Sequence, residues 1–503
     1  MANRARLSAP LQERNDWPWH HVKCTTLPSS LLKNEDRRME AENYLANGYG
    51  IRLAMEKRKA GWTRLEKLGE VWQPSRLKGI QVTKEFGTPF LAATQVFDLR
   101  PVPRKFLSLD YTANANDRFA KMGMILVTCS GSVGRAILAS KSHEGILISH
   151  DLLRILPQQP KYWGWIYAYL RAPQTRAMMS ASQYGHIIKH LEVTHLNTLP
   201  IPLLQDTLLE KFRVEVTRIL ELRNKSYGLM TEAEQEFADN FPSLTYVSND
   251  NAGFSVRASE MFNHRRRLDG GSFVPSVKSI IAAFNRHAQN VMPLSSLTKK
   301  IFVPGRFKHV YGDGGSPYLD SADILEVNPD IAKFVLSLSH EEQENYRVEV
   351  GWLLIPCSGQ VYGNIGHTVM ATDWHRGKVL SNHILRVCPA EDIRSGYLQC
   401  VLGHPLIGRP LMVRFAFGSS VPELAAEDIS TLPIPRLGKA IESELADKME
   451  KSARARAEAD LLEEVVAAEA EAIIDRFVAG DTEKVIIAPS NHGEESIAAE
   501  DGP

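Results

Sequence analysis

The chain has 503 residues, 44% of them hydrophobic and 23% charged, ordinary proportions for a globular protein with room for more than one core. Lys plus Arg and Asp plus Glu each number 59, so the formal net charge is zero and no global basic field marks the chain as a binder of polyanions. There is no run of 18 apolar residues, so no membrane-spanning helix is expected.

Residues 1–37 read as a short leader. Met1 to Arg6 leads into no apolar segment, so no signal peptide is expected. Residues 38–75 are charged and helix-prone. Short β-type runs broken by Gly and Pro follow, among them Met124–Val127 and Ile146–Ile148. A helix is expected to open at Trp163. Leu199-Pro200-Ile201-Pro202 then leads into a long helix over about Asp206–Phe237, whose seam is Leu209, Phe212, Val216, Ile219, Arg223, Tyr227 and Met230.

The second half repeats the first. Pro74-Ser75-Arg76-Leu77-Lys78 answers Pro304-Gly305-Arg306-Phe307-Lys308, and Gly87-Thr88-Pro89-Phe90 answers Gly315-Ser316-Pro317-Tyr318. Cys129-Ser130-Gly131 answers Cys357-Ser358-Gly359, Leu153-Arg154 answers Leu385-Arg386, and the Leu-Pro-Ile-Pro segment returns at 432–435. The offset stays between 228 and 233. A period of that size is a duplicated domain, too long for a solenoid unit. Strands are therefore expected at Trp352–Ile355 and Val379–Leu380, and a helix opening at Gly396. A second long helix is expected over about Lys439–Phe477, with Leu445, Ser452, Ala455, Ala459, Leu462, Val466, Ile473 and Phe477 on its seam.

The expected architecture is mixed α/β (α+β). It comprises a leader (1–37), a first domain (38–205), a long helix (206–240), a linker (241–266), a second domain (267–438), a second long helix (439–478) and an acidic tail (479–503). The two helices are expected to pair antiparallel as a coiled coil. Either helix lying on one domain by itself would give a similar pattern.

Much chemistry is absent. There is no G-x-x-x-x-G-K-[ST] loop, no G-x-G-x-x-G, no HExxH and no Cys/His metal spacing. No Asn-Pro-Pro-aromatic or Asp-Pro-Pro-aromatic tetrapeptide would hold a flipped base beside a methyl donor. Most histidines of the first repeat lack counterparts: His150 meets Asn382, His190 meets Glu423 and His195 meets Asp428. Ser130-Gly131-Ser132-Val133-Gly134 is not a nucleophile elbow, and its counterpart reads Ser358-Gly359-Gln360-Val361-Tyr362. What persists is a Ser-Gly turn after an apolar strand. Its backbone would suit a phosphate, or it is a plain tight turn. The five cysteines (24, 129, 357, 388, 400) form no CxxC pair. Cys129 and Cys357 hold equivalent places as small buried thiols, which suits a reducing cytoplasm.

Charge is uneven despite the zero sum. Between Arg52 and Lys78 stand eight basic residues against three acidic. Arg and Lys recur at the same P-x-R-Φ-K positions in both repeats.

Four segments carry a resemblance to a known family. They are Cys129-Ser130-Gly131-Ser132-Val133-Gly134-Arg135, Ile148-Ser149-His150-Asp151-Leu152-Leu153-Arg154, Ser182-Gln183-Tyr184-Gly185-His186-Ile187-Ile188 and His195-Leu196-Asn197-Thr198-Leu199-Pro200-Ile201-Pro202. In this order, doubled, and each followed by a long helix, they resemble the specificity subunit of Type I restriction-modification enzymes over about residues 38–477. The second repeat departs from the pattern, with Gly418-Ser419-Ser420-Val421 in place of Gly185-His186-Ile187-Ile188.

The resemblance implies two target-recognition domains, each reading half of a split site in double-stranded DNA. The helices would serve as a spacer that binds two methyltransferase subunits, and a nuclease-translocase subunit would join them. It implies no catalysis and no cofactor in this chain; S-adenosylmethionine, ATP and Mg belong to the partners. Arg76, Lys78, Lys189, Arg306 and Lys308 are then expected on the phosphate backbone, which sets register. Gln183, Tyr184 and Arg414 are expected at base edges or in the groove. Ser130, Arg135, Ser358 and Gln360 complete the candidate set from the two turns. Two other readings remain: a methyltransferase or nuclease with unrecognised motifs, and an adaptor in a methylation-independent defence complex.

Overall fold

The structure, a computed structural model, describes residues 44, 47–76, 79–111, 115–182, 190–242, 244, 253–263 and 267–481. The expectations for the leader, for Val485–Ile487 in the tail, and for Lys78, Gln183, Tyr184 and Lys189 lie outside the described residues.

The chain folds as two compact units. Among the described residues, unit 1 takes in those up to 96, then 102–220 and 462–481; unit 2 takes in 97–101 and those within 221–461. This division differs from the domain boundaries expected above, because each unit recruits part of both long helices.

Unit 1 is built around a four-stranded antiparallel sheet. Its strands are β1 (Gly69–Trp72), β2 (Ile125–Thr128), β3 (Ala136–Leu138) and β4 (Leu152–Pro157), in the order β1-β4-β2-β3. All four residues of the apolar run Ile125-Leu126-Val127-Thr128 are buried, as a strand covered on both faces requires. A second sheet places Thr88–Leu91 between Lys105–Leu107 and, in parallel, Leu147–Ile148. Trp62–Arg64 closes the unit against Pro200–Pro202. That closing pair is where the prolines of Leu-Pro-Ile-Pro are tolerated, since a two-stranded edge needs few donors from them.

Unit 2 repeats this plan. Strands β5 (Thr298–Phe302), β6 (Leu353–Pro356), β7 (Val369–Met370) and β8 (Ile384–Pro389) run in the order β5-β8-β6-β7. Tyr318–Leu319 pairs in parallel with Val379–Leu380, and Asn290–Pro293 pairs with Pro433–Arg436. The strands expected from the apolar runs in both repeats are present, two displaced by one residue, one shortened by one and one unchanged.

One expectation is corrected and one gains detail. Among its described residues the charged stretch 38–75 is α-helical at Tyr44 and Asn47–Glu56, and then makes strands at 62–64 and 69–72 around a 3-10 turn at Leu65–Lys67. Those strands are fixed by partners more than 80 residues away, which local charge and propensity do not encode. The stretch expected as a linker holds a helix, Ala258–Asn263, tied to the second repeat by a 2.6 Å ion pair from Lys278 to Glu260.

Helices α1 (Trp163–Arg171), α2 (Asp206–Asp239), α3 (Ser395–Gly403) and α4 (Lys439–Ala479) carry the rest of the argument. At 1.5 Å per residue α2 is about 50 Å long and α4 about 60 Å. In unit 1, Lys211 of α2 meets Glu469 of α4 at 2.6 Å, and Phe212, Val216 and Ile219 share a core with Val466, Ala470, Ile474 and Phe477. In unit 2, Arg223 meets Asp460 at 2.6 Å and Ser226 meets Ser452 at 3.1 Å, while Lys448 reaches Glu232 at 3.1 Å. Within both units, numbers rise along α2 as they fall along α4, so the pairing is antiparallel. Small residues make it close: Leu222 packs with Ala455 and Ala459.

Each repeat docks onto the helix that follows it at an equivalent glycine. A Cβ on Gly164 would come within 2.5 Å of the Phe212 backbone, and one on Gly396 within 2.4 Å of the Ala446 carbonyl oxygen. Beside them Trp165 Nε1 donates to the Pro202 carbonyl at 2.9 Å. The Tyr397 hydroxyl donates to the Pro435 carbonyl at the equivalent place. The contact has survived a change of residue type.

Residues 97–101 belong to the first repeat by sequence but pack in unit 2. Leu99 N donates to Leu325 O at 2.8 Å and Val327 N to Phe97 O at 2.6 Å. Positions 97 and 325, like 99 and 327, are separated by the repeat offset of 228, so the two bonds are exchanged by the duplication. Among the described residues no helix is long and apolar enough to cross a membrane.

Candidate nucleic-acid interface

The doubled sequence produces a doubled surface turn. In unit 1, Cys129 N donates to Asp151 O at 3.1 Å, and Cys129 O accepts from Leu191 N at 2.8 Å. In unit 2, Cys357 N donates to His383 O at 2.9 Å, and Cys357 O accepts from Leu424 N at 2.8 Å. Each turn is therefore clamped by two further segments at the same positions. Burial pushes the Cys129 thiol up to about 12 and the Cys357 thiol up to about 11. Both stay protonated at neutral pH and serve as small packing groups rather than nucleophiles.

Beyond the cysteines the backbone turns sharply, with φ of +69° at Gly131 and +83° at Gly134. Thr128 holds this turn: its hydroxyl accepts from Arg135 N at 2.9 Å and donates to Ser132 O. Ser130 pairs with His190, and Ser358 pairs with Glu423. The side chains presented on this shared frame differ. Unit 1 carries His150 and Asp151, 3.6 Å apart, with Ser149 Oγ donating to Asp151 at 2.9 Å. Unit 2 carries Ser358 Oγ at 2.9 Å from His383 Nδ1.

Beneath each turn lies a buried guanidinium. Arg154 and Arg386 are both 0% exposed. Arg154 donates to the carbonyls of Leu152 and Ile148 at 2.8 and 3.1 Å. Arg386 donates to those of Ser381, Leu380 and Tyr346 at 2.8, 3.1 and 3.3 Å, and to that of Ile384. Burial pulls both down to about 10, still charged at neutral pH. Carbonyl dipoles take up their terminal N–H groups without neutralising them, although each Nε has no partner, so each turn stands over a fixed positive charge. Arg118, also fully buried, donates to Ser75 O at 3.0 Å and anchors the segment that exposes Arg76.

The candidates separate as follows. Ser130 and Arg135 share one turn, Arg135 half-buried. Arg76 follows Gln73, which donates to His150 O at 2.8 Å and so joins that stretch to the turn. In unit 2, Arg306 and Lys308 are exposed on the connection before Tyr311–Leu319. Lys308 adjoins His309, whose ring stacks on Tyr311 with centroids 5.7 Å apart. Desolvation, and then the neighbouring His383 and Lys333, lower the His309 pKa. Gln360 is exposed and donates to Ser420 O at 3.2 Å.

Arg414 is not on a projecting surface. It lines a cavity of about 390 Å³ with Val361, Arg409, Pro410 and Asp269. Sequence reading passed over Gln73, His383 and the aromatic set Phe307, His309 and Tyr311. The last had a signal: three rings at every second position, the spacing that puts side chains on one face of extended chain. Among the described residues no cluster of His, Cys, Asp and Glu is arranged to hold a metal ion.

No family model matches the chain, and no curated protein matches it. Solved structures do. The S subunit of a Type I restriction-modification system from M. genitalium aligns at 14% identity and a TM-score of 0.32, covering 86% of this chain and 98% of that one. The HsdS subunit from Thermoanaerobacter tengcongensis aligns at 14% identity and a TM-score of 0.25, covering 84% and 96%. A chain from a structure describing complex assembly of the type I R-M system aligns at 14% identity and a TM-score of 0.26, covering 84% and 97%.

Proposed function

We propose that this chain is the non-catalytic, sequence-reading subunit of a Type I-like restriction-modification complex, binding a bipartite site in double-stranded DNA. One observation carries this reading. The same frame is built twice, around Cys129 and around Cys357, and its tips differ, Ser132, His150 and Asp151 in one and Gln360 and His383 in the other. A target with two unlike halves calls for a repeated scaffold with unlike contacts. Exposed Arg76, Arg306 and Lys308 supply backbone charge, and the buried arginines add a standing positive field. Methylation and cleavage belong to partner subunits that bind S-adenosylmethionine, ATP and Mg. Two methyltransferase subunits dock on the long helices, and a nuclease-translocase joins them.

The test is genome-wide sequencing of modified bases in host cells with and without the gene. A split motif of two short blocks around an unspecified spacer, lost on deletion, is the expected result. An unchanged modification pattern would overturn the methylation-directing reading in favour of an adaptor in a methylation-independent complex. In the same assay, removing seven residues from each of α2 and α4 is expected to shorten the spacer by about three base pairs. Seven residues span about 10.5 Å at 1.5 Å each, against about 3.4 Å per base pair. Both half-sites should keep their sequence; a spacer of unchanged length rules out the helices as its ruler.

A further inference from the structure

Resting on the DNA-reading proposal, we infer that the cavity walled by Arg409, Pro410, Val413 and Arg414 in unit 2 is a phosphodiester site. It seats one backbone phosphate of the bound duplex on the Arg414 guanidinium.

The cavity is anomalous in its polar balance. A guanidinium offers five N–H donors, yet the Arg414 side chain makes no hydrogen bond. Its Nε is buried without a partner, and its Cζ lies 4.5 Å from the centroid of the adjacent Phe415 ring. The other enclosed arginines of unit 2 are provided for: Arg386 by carbonyls, Arg456 by Met370 O at 2.6 Å, and Arg436 by Glu442 at 2.8 Å. Asp269 also lines the cavity, but Arg267 holds it at 2.7 and 2.8 Å and Ser272 at 2.8 Å, so its charge is already matched. Arg409 is oriented by the carbonyls of Val361 and Gly363 at 2.7 and 3.0 Å and adds a second positive group. Burial alone pulls the Arg414 pKa down to about 10, with no anion opposing it. An arriving anion would reverse that penalty and satisfy the open donors together.

Shape decides which anion. Val274, Val361, Pro410 and Val413 give the cavity an apolar wall suited to the sugars flanking a phosphate. Base edges of an intact duplex stay within a groove, whereas phosphates project from it and reach a recessed guanidinium. The cavity also adjoins the turn that carries Ser358 and Gln360, so a phosphate held here would fix the register of that turn on the DNA. Arg414 is thus assigned to positioning rather than to base reading.

The test uses the full-length chain and the variants R414M and R414K. Duplexes carrying the recognised site, or a scrambled one, are titrated across a salt series. R414M is expected to weaken every duplex by the same factor, about tenfold for one charge-assisted contact. It should also flatten the slope of log K against log salt by about one. R414K, a point charge without the planar fork, should keep the slope and lose only part of the affinity. Its result decides the matter if R414M does not fold. Inorganic phosphate, at matched ionic strength, should compete with DNA for the parent chain more than for R414M.

Loss confined to the recognised sequence would make Arg414 a base reader and overturn the inference. So would unchanged affinity in both variants. Saturable stabilisation by inorganic phosphate that R414M abolishes, with DNA affinity intact, would assign the cavity to a free phosphate compound instead. A parent chain that binds no duplex sinks the DNA-reading proposal itself, and this assignment of the ligand with it.

Discussion

Asp460→Ala is expected to destabilise unit 2 by about 3–5 kcal/mol, the usual cost of stranding a buried charge. Asp460 is 3% exposed and meets Arg223 at 2.6 Å. It also accepts from Asn328 N at 3.2 Å and stabilises the charge on the buried Arg456. Arg223 and Arg456 are equivalent residues of α2 and α4, separated by the offset of 233 that also relates the two Leu-Pro-Ile-Pro segments. Arg223 donates to the Arg456 carbonyl at 3.5 Å, so two guanidiniums share one carboxylate where the helices pair. Removing the carboxylate leaves two cations facing each other in a site with little water. Asp460→Asn keeps an acceptor for Asn328 and should cost less, with the same sign. Replacing the pair together, with Arg223→Met and Asp460→Leu, should recover only part of the loss, because the apolar pair carries no desolvation penalty but Arg456 and Asn328 N still lose the carboxylate. Denaturant unfolding of the three variants measures this. An Asp460→Ala chain within about 1 kcal/mol of the parent would show that the aspartate is not the counter-charge described.

The second large effect is acid lability of unit 2. His375 and His404 are 3% and 6% exposed, and burial lowers their pKa values from 6.5 to about 3 and about 4. Neighbouring Arg456 and Lys378 add to the effect at His375, and Arg100 adds to it at His404. His375 Nδ1 accepts from Thr372 N at 3.1 Å, a bond made by the neutral ring. The unfolded chain takes up these protons near pH 6.5 and the folded one only near 4 and 3. Through that window the unfolded state holds more protons, so stability is greatest above pH 6.5 and falls as pH falls. At about 1.4 kcal/mol per pH unit and group, the loss reaches roughly 5 kcal/mol for His375 and roughly 3 kcal/mol for His404. Asp323 opposes it: burial raises its pKa to about 6, which favours the folded state between about pH 6 and 4 by roughly 3 kcal/mol. The net effect remains destabilising. Unfolding free energies measured from pH 7.5 to 4 should fall, and His375→Gln should flatten the fall. A flat profile in the parent chain would contradict burial of two neutral imidazoles.

The sequence made the duplication, the apolar strands and the two long helices legible, because each leaves a periodic or repeated trace. The first helix shows why this worked. Leu209, Phe212, Val216 and Ile219 step by three and four, and all are buried. Pairings at a distance left no such trace. Trp62–Arg64 follows a strongly charged stretch and becomes a strand only because Pro200–Pro202 offers it an edge. Arg154 and Arg386 were legible as equivalent but not as buried. An arginine in an apolar strand is ordinarily solvated, and only the ring of carbonyls around it makes an interior place tolerable. Arg414 was singled out for its chemistry, but its position in a cavity wall depends on how 409–416 folds against 269–276, which its neighbours in sequence do not disclose. Arg267 spends its donors on Asp269 and on the carbonyls of Phe415 and Ala416.

The division of the helices between units bears on how the chain is made. Val466, Ala470, Ile474 and Phe477 of α4 belong to the same core as Ile125, Val127 and Trp165. A ribosome delivers these groups in the reverse of the order in which the first core needs them. Residues 221–461, the bulk of unit 2, must be synthesised between the body of unit 1 and the segment that seals it. At about 5–20 residues per second that interval is on the order of tens of seconds. Throughout it the apolar faces of Phe212, Val216 and Ile219 await their partners. The nascent chain is therefore expected to engage chaperones late, and to release them only once α4 has emerged.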